Sequence, residues 1–118
     1  MQFHGRAMTY AAHYPAAENW ILLGTDGTPI GRLLLDRETD RWRVVEIAVL
    51  AAHRGHGLGT VVLRQCQQQA AADGAALELQ VMPESPARRL YERLGFQVFC
   101  SDLLALQMTW SGRSRESN

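Results

Sequence analysis

The hydrophobic period of this chain changes sharply at its middle, and that change constrains the fold more than any other feature. Through residues 41–50, Val45, Ile47 and Val49 fall on one face and Val44, Glu46, Ala48 and Leu50 on the other, the two-residue period of a strand. Residues 51–57 are rich in Gly, Arg and His. From Leu58 the repeat lengthens: Leu58, Val62, Cys66 and Ala70 recur at steps of four, and Asp73-Gly74 closes the helix. Leu77, Leu79 and Val81 then alternate as a strand again. This strand-helix-strand core is flanked by further elements. Residues 3–14 carry Phe3, Ala7, Tyr10 and Tyr14 at helical spacing, with Pro15 as the stop. Residues 20–23 and 30–35 read as a hairpin around Gly24-Thr-Asp-Gly27. Ser85 is placed to cap a second helix, with Pro86 at its first position, Leu90, Tyr91 and Leu94 as its apolar face and Gly95 at its end. Residues 96–100 and 103–110 close the chain as two strands, Leu104, Leu106, Met108 and Trp110 alternating in the second. The expected class is α/β (α+β): a mixed central sheet flanked by helices, in the order α-β-β-β-α-β-α-β-β.

A length of 118 residues bounds this to one domain, expected over residues 1–111, with residues 112–118 as a disordered polar tail. Twelve basic side chains balance twelve acidic ones, which leaves no fold-wide basic field for nucleic acid. No apolar run nears the ~20 residues of a membrane span, and the N-terminus lacks an apolar signal-peptide core, so a cytoplasmic protein is expected. The two cysteines, Cys66 and Cys100, follow neither metal nor redox spacing. All twelve basic residues are Arg, which removes Schiff-base and Walker A lysine chemistry.

The chemistry points to His53-Arg-Gly-His-Gly-Leu-Gly-Thr60, between strand and helix. Free backbone N–H groups at a helix start, with glycines allowing close approach, form an anion cradle, and Arg54 adds a charged donor. The dinucleotide G-x-G-x-x-G spacing is not met, since Thr60 and Val62 stand at the third-glycine positions. A glycine-rich connection that holds nothing is the competing reading. His53 and His56 form an H-x-x-H pair, but no helix carries it and no third ligand stands at a recognisable spacing, so no metal is expected.

Two segments carry a family resemblance. Arg54-x-x-Gly57-x-Gly59 after a strand resembles the acetyl-CoA pyrophosphate signature of the GNAT N-acetyltransferase superfamily. Ser85-Pro-Ala-Arg-Arg-Leu-Tyr-Glu-Arg-Leu-Gly-Phe96 is similar to the family's N-P-A-x-x-L-Y-E-R-L-G-F segment. Their order and separation also match, and the resemblance runs from about Gln2 to Trp110. It implies acetyl-CoA as co-substrate in a cleft where residues 41–50 and 76–82 splay apart. Arg54, Gly55, His56, Gly57, Leu58, Gly59 and Thr60 would anchor its pyrophosphate. Ile47, Ala48 and Val49 would pair with the pantetheine arm and polarise the thioester carbonyl. Ser85 stands where the family often has a cofactor-contacting Asn; helix capping is its other role. Relative to the family, the chain reads as lacking the usual first strand and helix. That would leave residues 20–23 at a bare sheet edge, and a homodimer covering this edge is expected.

The implied activity is direct transfer of an acetyl group to a primary amine of a small molecule or peptide. The alternative is a catalytically silent acyl-CoA-binding sensor or partner module. Tyr91 is the implied proton donor to the leaving thiolate, because a phenol holds its proton at neutral pH; otherwise it is a core aromatic beside Leu90 and Leu94. Glu46 is the one acidic residue in the middle of an apolar strand. Burial would raise its pKa toward that of a general base. Its other reading is an ion-pair partner for Arg43 or another arginine on the same sheet face. Arg88, Arg89 and Arg93 are most simply a solvated helix face, although one of them could touch a nucleotide 3′-phosphate.

Overall fold

The structure, a computed structural model, describes residues 2–8, 16–55 and 57–112. Its elements are β1 (Gln2–Met8), β2 (Glu18–Leu23), β3 (Pro29–Arg37), β4 (Arg41–Val49), α1 (Leu58–Ala72), β5 (Ala76–Val81), α2 (Ala87–Arg93), β6 (Gln97–Ser101) and β7 (Leu106–Trp110). The seven strands form one mixed sheet in the order β1-β2-β3-β4-β5-β7-β6. Among the described residues only β4 and β5 pair in parallel, and α1 is the crossover between them. The flanked mixed sheet expected from the sequence is therefore present.

The first element departs from expectation. Residues 2–8 form a strand antiparallel to β2, with Phe3 opposite Leu22 and Met8 opposite Glu18. The remainder of the expected helix, residues 9–15, lies outside the described residues. A helix here would leave the outer N–H and C=O groups of β2 unpaired. Sheet pairing satisfies them and overrides the modest helical spacing. The register shifts between His4 and Ala7, around Gly5, the interruption that a glycine inside a strand often marks. Two expectations fall with this. A first strand is present, and β2 is an inner strand rather than an edge, so the argument for a dimer covering residues 20–23 loses its basis.

Both helices pack on one face of the sheet. Leu33, Leu35, Trp42, Val44, Leu77, Leu79 and Met108 meet Val62, Leu63 and Cys66 of α1, with Leu90 and Tyr91 of α2 packed against the same core. Gln67 is buried there too. It donates from Nε2 to the Leu94 carbonyl at 2.9 Å and so ties α1 to the end of α2. Both helices end in the same way. The N–H of Ala75 reaches Ala70 O and that of Phe96 reaches Tyr91 O, with Gly74 and Gly95 at the reversals the sequence marks. On the opposite face the pairs Leu34–Glu46, Arg32–Ala48, Arg43–Glu78 and Gln80–Gln107 stand side by side across neighbouring strands. No described helix covers that face.

The feature that shapes the centre is a bulge in β4. Leu34 opposes Glu46 but Leu35 opposes Val44, which leaves Val45 as an extra residue. A bulge bends its strand and increases its twist. The parallel pairing with β5 runs only from Arg41–Ala76 to Val44–Leu79 and stops at that point. Beyond it, β4 continues to Val49 beside β3 alone, and a gap opens toward β5. The bulge also changes parity. Trp42, Val44 and then Ile47 turn toward the core, a step of three that plain alternation does not anticipate. At the other end of the sheet, Leu103 and Leu104 lie in a turn outside β7 and are largely exposed, so the strand expected over residues 103–110 starts at Leu106.

Candidate functional site

The gap between β4 and β5 leaves part of the β4 backbone free. Leu50 donates its N–H to Ile30 O on the β3 side. By strand alternation, the backbone groups of Ala48 and Glu46 face β3, whereas those of Ile47 and Val49 face the gap. Of the three residues expected to pair with an extended ligand, Ile47 and Val49 are therefore positioned to do so by main chain. Ala48 points its side chain to the uncovered face. The Val49 carbonyl already accepts a hydrogen bond from Arg54 Nε at 3.0 Å. The Arg54 side chain thus pins the glycine loop to the strand end rather than extending freely into solvent.

Past β4, a 3-10 turn (Ala51–His53) leads into the loop, and α1 begins at Leu58 after Gly57. Gly55 and Gly57 have φ of 80° and 76°, a left-handed conformation that L side chains rarely adopt, and a Cβ on either would meet open space. The helix start carries no side-chain cap and no acidic residue in its first turn. Its first intrahelical bond is Val61 N–H to Gly57 O, so the N–H groups of Leu58, Gly59 and Thr60 precede the helical ladder. They line a cleft of about 270 Å³ together with Val49, His53, Arg54, Gly55, Gly57, Leu90 and Arg93. Partial positive charge from the helix dipole, reinforced by Arg54 and Arg93, fits this cleft to an anion. Six of the seven expected anchoring residues converge here; His56 lies outside the described residues. Arg93 joins them from α2. Its place in the last turn, one helical turn beyond Leu90, was the available signal that it shares a face with the cleft wall.

Ser85 caps α2, its Oγ accepting from the Ala87 N–H at 3.1 Å. Tyr91 packs edge-on against Phe96 at 6.0 Å between ring centroids. Burial pushes its phenol pKa up. Tyr91 lies beside the cleft wall formed by Leu90 but does not itself line the cleft. Glu46 departs from its expected burial. It sits on the uncovered face, its side chain 45% exposed, and accepts from Arg32 Nη2 at 2.8 Å. The residue directly after the bulge is turned outward, and the neighbouring strand supplies its cation. Tyr91 and Glu46 thus lie on opposite sides of the sheet. Cys66 is buried in the core, its thiol pushed up to about 12 by burial, and no group of His, Cys, Asp and Glu among the described residues could hold a metal ion.

A strand bent away from its parallel neighbour, with a glycine-rich anion cradle at its end, defines the acyltransferase class of α/β fold that the sequence resembles. The chain matches the Acetyltransferase (GNAT) family over residues 2–96 and belongs to that family. Its fold is similar to that of nourseothricin acetyltransferase, with 27% identity and a TM-score of 0.63 over 80% of this chain and 65% of that one. It is also similar to the PaiA N-acetyltransferase of Thermoplasma acidophilum in complex with coenzyme A, at 18% identity and a TM-score of 0.68 over 77% and 58%. A GNAT family acetyltransferase from Elizabethkingia anophelis with acetyl-CoA bound matches at 16% identity and a TM-score of 0.66 over 79% and 74%. The chain spans less than two thirds of the length of the first two. No described helix is long and apolar enough to cross a membrane.

Proposed function

We propose that this protein is an acetyl-CoA-dependent N-acetyltransferase that passes the acetyl group directly to a primary amine of a small molecule or peptide. The observation that carries this reading is the uncapped start of α1, opening between Arg54 and Arg93 onto a cleft at the mouth of the β4–β5 gap. An uncapped helix N-terminus flanked by two guanidiniums is completed by an anion, and a pyrophosphate supplies one. The pantetheine arm would then run along the free backbone of Ile47 and the N–H of Val49, whose carbonyl is held by Arg54. Two related folds crystallised with CoA or acetyl-CoA support this choice of ligand.

In the proposed reaction, a main-chain N–H of β4 polarises the thioester carbonyl as negative charge develops on its oxygen. The amine nitrogen attacks the carbonyl carbon, so a C–N bond forms and the C–S bond breaks. The leaving thiolate takes a proton from the Tyr91 hydroxyl, which burial keeps protonated. The amine gives its proton to Glu46, directly or through water, from the uncovered face of the sheet. This division places the co-substrate's anionic end on the helix side and the acceptor on the other. Ser85 contributes by capping α2 and holding Tyr91 in place.

A silent acyl-CoA-binding sensor or partner module is the second reading, and one observation favours it: Glu46 is already paired with Arg32. Incubation with acetyl-CoA and a panel of amines, with free thiol as the readout, separates the two. Turnover supports the enzyme. A melting temperature raised by CoA without turnover supports the module, and no rise at millimolar CoA refutes both. A homodimer in a soluble, cytoplasmic setting completes the proposal, with its interface away from β2.

A further inference from the structure

Gln67 is the one buried polar side chain among the described residues, 6% exposed on the inner face of α1. An amide costs free energy to bury unless it is hydrogen-bonded, and an apolar residue would fill this core position without that demand. The Gln67 amide meets the demand at one place, donating from Nε2 to the Leu94 carbonyl at 2.9 Å. Leu94 caps the C-terminus of α2, where the last carbonyls have no partner within the helix.

The bond lands on the turn that holds Tyr91. The N–H groups of Leu94 and Phe96 both donate to the Tyr91 carbonyl, at 3.1 and 3.0 Å, and the Phe96 ring packs edge-on against the Tyr91 ring. The remaining side-chain bonds of α2 are its own: Ser85 accepts from Ala87, and Arg88 donates to Glu92. Among the described residues, no side-chain hydrogen bond other than that of Gln67 joins α2 or its end to another element. The other contact between the helices is apolar, since a Cβ on Gly59 in the cradle would meet Leu90 Cδ2 at 3.8 Å. Leu90 and Leu94 thus bracket Tyr91, the first placed at the cradle by packing and the second held to α1 by a directional bond. Packing alone lets a helix slide or roll, whereas a hydrogen bond weakens steeply once its angle is lost.

We propose that Gln67 is a positioning residue, which fixes the Tyr91 hydroxyl at the distance from the anion cradle that the co-substrate spans. This rests on the acetyltransferase reading above, in which one molecule is held by the start of α1 and protonated at its sulfur from α2. Gln67 lies nine residues beyond Leu58, about 14 Å along α1, so cradle and anchor belong to one rigid element. Gln67 itself touches no substrate; it acts on Tyr91 through Leu94. A misplacement of about 1 Å between reacting groups is enough to cost a factor of roughly 10² in rate.

A double-mutant cycle tests this, with kcat read as free thiol released and CoA affinity by titration. Gln67→Met keeps the length of the side chain and removes the donor. It should lower kcat about 10–100-fold while CoA affinity stays within about twofold, since the cradle is unchanged. In the Tyr91→Phe background the same substitution should change kcat less than about twofold, because no proton donor remains to be aimed. Rates are taken well below the melting temperature of each variant, and Gln67→Leu is the second replacement should Gln67→Met fold poorly. Equal slowing in both backgrounds would mark a purely structural role and overturn the inference. So would a Gln67→Met enzyme as fast as wild type beside a slow Tyr91→Phe. A wild type that binds CoA without turnover, or a Tyr91→Phe enzyme at full rate, would instead refute the reading beneath it and take the inference with it.

Discussion

Gly59→Glu should make the protein more stable and unable to hold CoA. Gly59 is the second residue of α1, without positive φ, and a Cβ there meets only Leu90 Cδ2, at 3.8 Å. Replacing a helical glycine by glutamate gains up to ~0.5–1 kcal/mol of propensity. A carboxylate in the first turn of a helix that has neither cap nor acidic residue gains a further ~0.3–1 kcal/mol from the dipole. The sum is about 1–2 kcal/mol. Unfolding entropy of about 2.1 cal/mol/K per residue over 118 residues gives roughly 0.25 kcal/mol/K, so Tm should rise by about 4–8 °C. The same carboxylate occupies the anion cradle between Arg54 and Arg93. Loss of charge-assisted bonds worth ~1.5–3 kcal/mol should weaken CoA at least about tenfold. Differential scanning fluorimetry reads the first effect without ligand, and isothermal titration with CoA reads the second. Gly59→Ala is the control: it should gain about 2–4 °C from propensity alone and keep its CoA affinity. A lower Tm for Gly59→Glu would refute the uncapped, open helix start, and unchanged CoA affinity would refute the cradle.

Tyr91→Phe should lower kcat about 10²–10⁴-fold while CoA affinity stays within twofold, measured as free thiol released and by titration; equal kcat would return Tyr91 to a packing role beside Phe96. Cys66 makes alkaline pH destabilising. Its folded pKa of about 12 lies above the ordinary 9.0, so the folded state holds the proton longer. Its contribution is complete below pH 9 and is lost as pH rises toward 12, with a limiting slope of about 1.4 kcal/mol per pH unit that Cys66→Ala should remove in urea titrations at pH 8 to 10.5. Gln67→Ala should cost about 1–3 kcal/mol, because the Leu94 carbonyl loses its donor inside the core; a urea midpoint unchanged from wild type would contradict the bond.

What the sequence made legible was local. The four-residue repeat from Leu58 to Ala70, the reversals at Gly74 and Gly95 and the cap at Ser85 are each fixed within a few residues, and the structure has all of them. The glycine loop and the uncapped helix start that follows it were legible for the same reason, since they are contiguous. What escaped depends on partners distant in sequence. Residues 2–8 become a strand because β2 needs a neighbour, and nothing between Gln2 and Met8 announces that need. Leu104 keeps perfect alternation with Leu106 and Met108, yet the Asp102 turn takes it out of the sheet.

Glu46 illustrates how one residue can alter the reading of a whole strand. Alternation counted from Val44 leaves Glu46 as a carboxylate in an otherwise apolar strand, and burial there would call for a shifted, base-like group. Val45 is an extra residue, however, and the count restarts after it. The carboxylate emerges on the open face beside Arg32, and the core receives Ile47 instead. The same bulge ends the pairing with β5 and so opens the gap in which Ile47 and Val49 offer their backbone. A strand free of the bulge would place the next residue along β4 beside Gln80 and close the sheet. The feature that defeats a simple reading of β4 is thus the one that opens the β4–β5 gap, and it delivers an exposed, arginine-held carboxylate to the side on which the proposed acceptor would bind. A base in that setting works only if the acceptor amine displaces Arg32 from Glu46. Arg32→Ala should therefore lower the KM for an amine acceptor about 2–10-fold with kcat little changed, read by initial rates across acceptor concentration. A raised KM would instead make Arg32 part of the acceptor site.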